Sequence, residues 1–177
     1  GLVRLPIVDT CRANDFDGRC DNFMLYYTGG RPHVGLSNRL VVNSPLKTRM
    51  LGAQLFRYNA KGFLHWGYNF YNLQYSVKAI SPYEITDAGG SFPSGDSFMV
   101  YPADNGTAYE SLRLKVFYDG FQDILALKLL ESKIGREKVL EFIDKDLFKP
   151  LTFMEYPHEN EWLLETREKI NQMIKEN

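Results

Sequence analysis

The stretch Gly62-Phe63-Leu64-His65-Trp66-Gly67-Tyr68-Asn69-Phe70-Tyr71 carries the densest set of groups that could do chemistry on a ligand. Gly62 to Trp66 has the composition of a short buried strand, aromatic-rich and opened by a glycine. Behind it come side chains that stack or hydrogen-bond: Trp66, Tyr68, Asn69 and Tyr71. Such a cluster at a strand end suits the floor of a sugar site. Aromatic faces cover the apolar C–H side of a pyranose, while amide and phenol groups take its hydroxyls. A core strand whose aromatics simply pack is the competing reading.

Other chemistries find less support. The 21 basic and 22 acidic residues leave a net charge of −1, and no basic run marks a nucleic-acid or membrane surface. No apolar run approaches the ~20 residues of a membrane span. Cys11 and Cys20 sit in a polar loop and could bridge; two cysteines leave the compartment open. Zinc is not expected, since no Cys or His stands nearby at ligand spacing. Asp15, Asp17, Gly18 and Asp21 resemble a calcium-type acidic loop only loosely, because the glycine falls early and no closing Glu follows. A solvated loop is expected there, with no metal and no cofactor. His33, His65 and His158 are far apart, and none joins a Ser or Cys in a nucleophile motif.

The elements that must position the cluster follow in order. Leu2–Val8 and Phe23–Thr28 read as strands, the second apolar enough to be covered on both faces. Asn43-Ser44-Pro45 opens a helix to about Tyr58, with Pro45 at its first position and Asn59 able to close it in a left-handed conformation. Leu46, Met50, Ala53 and Phe56 form its stripe, widened by Leu51 and Leu55. Strand, helix, strand predicts a βαβ unit with parallel strands. Functional groups in such sheets gather at the carboxyl edge, where Asp9, Tyr26, Tyr27, Trp66 and Asn69 fall. Asp9 suits a loop cap better than a site.

Residues 72–95 read as a long loop whose Tyr75, Tyr83, Glu84 and Asp87 could reach over a ligand, or as an ordinary surface loop. Ser97–Tyr101 reads as another strand. Thr107 and Glu110 fit a capping box, with Ser111 as a second possible cap, before a helix to about Ser132. Its apolar face is predicted at Leu114, Phe117, Phe121, Ile124 and Leu125, and close approach of a neighbouring backbone would explain Gly120. Outer helices are predicted at about 135–145 and 160–175.

Across Leu25–Leu130 the chain resembles the C-terminal part of the glycoside hydrolase family 123 catalytic domain, also called DUF4091. The resemblance lies in Tyr26-Tyr27-Thr28, Pro45-Leu46-Lys47-Thr48-Arg49 and Gly62-Phe63-Leu64-His65-Trp66-Gly67-Tyr68-Asn69. It continues in Gly95-Asp96-Ser97-Phe98-Met99-Val100-Tyr101-Pro102, Ser111-Leu112-Arg113-Leu114, Asp119-Gly120 and Asp123. Tyr118 departs from the pattern, standing where the family would have an arginine.

The resemblance implies an α/β fold, the C-terminal portion of a (β/α)8 TIM barrel over 1–132, with a helical extension over 133–177. It also implies a retaining, substrate-assisted β-N-acetylgalactosaminidase chemistry, in which an adjacent Asp and Glu act on an N-acetylhexosaminide. This chain contains no Asp-Glu dipeptide. The expectation is therefore a C-terminal piece of a longer enzyme, inactive alone, and Gly1-Leu2-Val3-Arg4 looks like a cut end. It would supply an aromatic and polar wall: Trp66 against the sugar, one of Tyr26 or Tyr27 by strand alternation, and Tyr68 and Asn69 on hydroxyls. If Trp66 points inward, His65 points to the helix layer and is structural. A first strand with an unpaired edge would recruit a second copy as a dimer. A non-catalytic carbohydrate-binding domain and a purely structural α/β domain are the alternatives.

Overall fold

The computed structural model describes residues 5–16, 22–27, 29 and 35–177. Three short strands form a parallel sheet in the order β1 (Ile7–Asp9), β2 (Met24–Tyr26), β3 (Gly62–Leu64). All three are shorter than their sequence runs suggested. A four-residue helix, α1 (Ala13–Phe16), follows β1 after a 3-10 turn, and Asp9 caps that turn by accepting the Cys11 N–H at 3.0 Å. Asp15 pairs with Arg12, whereas Asp17, Gly18, Cys20, Asp21, Thr28 and His33 lie outside the described residues.

The sheet is one-sided. Val8, Leu25 and Phe63 stand in register and share a core with Leu51, Leu55, Phe117 and Phe153. Period two sends Ile7, Asp9, Met24, Tyr26, Gly62 and Leu64 to the other face, where Ile7 and Leu64 are exposed. Among the described residues, β1 and β3 each lack a neighbour on their outer edge.

Helix α2 (Pro45–Arg57) links β2 to β3. Pro45 opens it, and Asn59 follows it at φ +50°. The stripe read from sequence divides between two cores. Leu51 and Leu55 meet the sheet, while Leu46, Met50, Ala53 and Phe56 meet α3 (Leu112–Ile134), α4 (Arg136–Asp144) and α5 (Asn160–Glu176). The helix is thus buried on both flanks, with Thr48 and Gln54 buried among its apolar residues.

Downstream, one sequence expectation shifts and another is corrected. The strand read at Ser97–Tyr101 is found at Val100–Pro102 and lies outside the parallel sheet. Val100–Pro102 (β4) pairs antiparallel with Ala108–Glu110 (β5) in a sheet of its own. Thr107 and Glu110 therefore do not cap α3. Ser111 does, its Oγ accepting the Leu114 N–H at 3.2 Å.

The inward face of α3 is also rotated from the predicted one. Leu125 is exposed, and Gly120, Asp123, Ala126, Leu127 and Leu130 are buried. The cause is a glycine crossing with α2: a Cβ on Gly52 would lie 2.1 Å from the Gly120 carbonyl oxygen. This contact brings Asp123 against Arg49, which binds it in bidentate fashion at 2.7 and 2.9 Å, and Arg167 of α5 adds a third bond at 2.7 Å. Such a buried carboxylate needs its partners, since losing one leaves charge unpaired.

Gly52→Ala should destabilise the protein by about 2 kcal/mol or more, despite alanine's better helix propensity, because backbone cannot yield as a side chain does. Lys128→Ala, exposed on α3, should stay within about 0.5 kcal/mol of the parent. Urea unfolding of both checks this.

Candidate functional site

Beyond β3 the chain turns at Gly67 and runs antiparallel to 97–99. Phe70 N–H donates to Ser97 O at 3.0 Å, and Met99 N–H donates to Tyr68 O at 2.7 Å. Only glycine allows this approach, since a Cβ on Gly67 would sit 2.5 Å from Asp96 O and 2.7 Å from Ser97 Cα. The crossing sets Trp66 against Phe92 (centroids 4.8 Å apart) and edge-on to Phe70 (5.3 Å), with the indole 37% exposed.

Behind Trp66 is a buried polar cluster. Asp96, 1% exposed, accepts the Trp66 indole N–H on Oδ2 at 3.0 Å and His65 Nε2–H on Oδ1 at 3.2 Å. His65 Nδ1 accepts from the Gly67 N–H at 3.1 Å and from the Arg39 guanidinium. With two donors on Nδ1, the imidazole must be neutral and carry its proton on Nε2. Burial lowers the His65 pKa; the Asp96 contact opposes this, and Arg39 reinforces it. Burial alone would raise Asp96, but the His65 and Trp66 hydrogen bonds prevail and hold its carboxyl below the usual range.

Arg39, 4% exposed, also donates to the Gly67 carbonyl, and burial brings its guanidinium down to about 10, so it remains charged at neutral pH. Arg113, in the first turn of α3, ties the layer down by donating to Arg39 O (2.9 Å), Gly95 O (2.8 Å) and Phe98 O (2.8 Å).

Strand alternation separates the two tyrosines. Tyr27 is 1% exposed in the core, its ring 5.0 Å from Phe63 and 5.3 Å from His65, and burial raises its phenol far above the ordinary value. It is therefore corrected from a candidate for the open face to a core residue. Tyr26 lies on the opposite face, half-buried, its phenol raised by burial and then by Asp9 and Asp96. Tyr68 and Asn69 are exposed beyond Trp66. His65 takes the helix side, in contact with Tyr27.

In the 72–95 segment, the Tyr83 hydroxyl donates to Pro102 O at 2.9 Å and Asp87 accepts the Gly89 N–H at 3.0 Å, while Tyr75, Tyr83 and Glu84 are all exposed, Tyr75 the more exposed of the two rings. Sequence reasoning assigned no role to Arg39, Asp96 or Arg113. Asp96 had a usable signal, a carboxylate directly after a glycine and beside an apolar run, but nothing local marks Arg39.

A family model described as "Glycoside hydrolase 123, catalytic domain" matches residues 3–130. Among solved structures, a family 123 glycoside hydrolase from Clostridium perfringens, studied for glycolipid glycan hydrolysis, is similar at a TM-score of 0.52 and 21% identity. That match covers 85% of this chain and 26% of the other, so this chain spans about a quarter of the solved relative's length. At this identity the likeness speaks to the fold. No curated protein matches the chain.

His65 supplies a pH test. Its folded pKa lies below the ordinary 6.5, so below that pH the unfolded chain binds the proton more readily than the folded one. Its contribution is fully present above about pH 6.5 and is lost as pH falls through the folded value, at up to about 1.4 kcal/mol per pH unit. The urea midpoint should drop between about pH 7.5 and about pH 5, and His65→Gln should flatten that drop.

Proposed function

The chain belongs to the glycoside hydrolase 123 catalytic-domain family, and on that premise we propose that it forms the sugar-binding wall of a glycosidase acting on N-acetylhexosaminides. The observation that carries this reading is Trp66: a half-exposed indole at a strand end, held from behind by a buried carboxylate and flanked by Phe70 and Phe92. Such a ring offers a flat apolar face to a pyranose, and the polar groups near it can fix the sugar's orientation. Trp66 stacks on the ring or walls the acetamido group. Tyr26 hydrogen-bonds from the strand face, and Tyr68 and Asn69 take hydroxyls. Tyr27 has no part in it.

The sheet's sidedness supports the further reading that residues 1–132 are the last strands of a (β/α)8 barrel, with 133–177 a helical extension packed on it. Helices cover one face of three parallel strands, and among the described residues the other face carries exposed Ile7 and Leu64 and half-buried Met24 and Tyr26. In a closed barrel that second face is the interior and the carboxyl ends of the strands hold the site. The missing strands and the acid pair would come from the remainder of a longer polypeptide.

In the chemistry proposed, the substrate's acetamido oxygen attacks the anomeric carbon. An aspartate orients that group, and the neighbouring glutamate protonates the leaving oxygen. The glutamate starts protonated through burial. Because no Asp-Glu pair occurs in these 177 residues, a non-catalytic carbohydrate-binding domain is the second reading. The outer edge of β1, unpaired among the described residues, is proposed to pair with a further strand, in a dimer when this chain is alone.

Three measurements separate these readings. The 177-residue chain should bind N-acetylgalactosamine, and Trp66→Ala should weaken that binding by about tenfold or more. It should release no nitrophenol from para-nitrophenyl β-N-acetylgalactosaminide, whereas a longer polypeptide carrying the Asp-Glu pair should; binding without turnover by the longer form would favour the second reading. Sedimentation should show a dimer; a monomer would remove the edge-pairing proposal.

A further inference from the structure

The hydrogen bonds around Asp96 form a chain in which each partner dictates the next. Arg39 and the Gly67 N–H are donors only, and both meet His65 Nδ1. His65 must then donate from Nε2, and it does so to Asp96 Oδ1 at 3.2 Å. That leaves Oδ2 for the indole, 3.0 Å away. Two N–H donors thus converge on one side chain, one on each oxygen, and only a carboxylate presents two acceptors there. An asparagine would turn an NH2 group toward either His65 or Trp66, setting donor against donor.

The room for this carboxylate is built in. A Cβ on Gly29 would lie 2.9 Å from Asp96 Oδ1, and Gly95, at φ +83°, feeds the chain into position. Asp96 itself is sealed from the open face, so any influence on a ligand passes through the indole it holds. Phe92, Phe70 and the nearly parallel His65 ring neighbour the indole without directional bonds, and the N–H bond to Asp96 adds one that fixes its orientation.

From this juxtaposition we propose that Asp96 is a positioning residue for sugar binding: with Arg39 and His65 behind it, its carboxylate fixes the Trp66 indole in the orientation that receives the pyranose. The proposal rests on the sugar-wall reading above and adds the residue that makes Trp66 a rigid platform. A platform set before binding spends less of the contact energy on ordering the side chain.

The test uses the whole chain with N-acetylgalactosamine as probe and nitrogen-15 NMR of the two indole N–H groups, Trp162 serving as internal reference. In the parent protein the Trp66 signal should shift with sugar and exchange slowly with solvent. If no shift occurs on sugar addition, the sugar-wall reading fails, and the exchange rate still decides whether Asp96 anchors the indole.

Asp96→Asn should speed exchange of the Trp66 N–H and leave Trp162 unchanged. It should also raise the sugar's dissociation constant about fivefold to tenfold. Trp66→Phe should weaken binding as well, and the double variant should bind no worse than Trp66→Phe alone. Losses that multiply in the double variant would overturn the proposal, as would an unchanged exchange rate in Asp96→Asn. Should Asp96→Asn not fold, benzothienylalanine placed at position 66 removes only the N–H and keeps the ring shape. It should reproduce the fivefold to tenfold loss, and native affinity there would equally overturn it.

Discussion

A buried carboxylate governs the architecture around the exposed aromatics. Asp96 is sealed from water, and an ion so placed persists only if protein dipoles replace its hydration. His65 and Trp66, adjacent in sequence with their rings nearly parallel 6.3 Å apart, both reach it because Asp96 sits just beyond the strand end, where the alternation of β3 breaks into the Gly67 turn. Meeting that need draws the 95–99 segment against 67–70. This contact in turn requires a glycine at 67, and it places Arg39 where its charge is buried among carbonyl oxygens and a neutral imidazole. Arg113 closes the layer from the first turn of α3.

The helical side depends on a second sealed carboxylate. Asp123 receives Arg49 and Arg167, so α2, α3 and α5 meet at one charge. The meeting is possible because Gly52 and Gly120 let two helix backbones touch. Arg136 adds a separate tie, donating to the Phe56 and Arg57 carbonyls at 2.9 and 3.0 Å and so closing the C-terminal end of α2. These bonds join the helices after residue 130, where the family match ends, to the same core as the earlier ones. The two halves of the molecule thus differ in kind: helix α2 is packed on both flanks, while among the described residues the sheet keeps two unpaired outer edges and a face with Ile7 and Leu64 exposed.

Much of this was legible along the chain. The order strand, helix, strand, the parallel pairing, the proline start of α2, its left-handed close at Asn59 and the close approach at Gly120 all follow from local chemistry that neighbours in sequence carry. The family resemblance was legible as well, because spaced short motifs survive where overall identity does not. Less was legible where two solutions satisfied the same local rule. Ser111 and Thr107 both suited a cap, and the pairing of Ala108–Glu110 with Val100–Pro102 decided for Ser111.

What the sequence alone determined is which residues are apolar, which turn and which can start or stop an element, and those are properties of a residue and its near neighbours. What only the tertiary structure decided is direction and partnership: Tyr26 outward and Tyr27 inward, Leu125 exposed and Asp123 buried, Arg39 and Asp96 drawn to His65 across 26 and 31 residues of chain. The physical reason is that desolvating a charge or a ring has a cost set by whatever else arrives at the same place, and nothing in a linear neighbourhood records those arrivals.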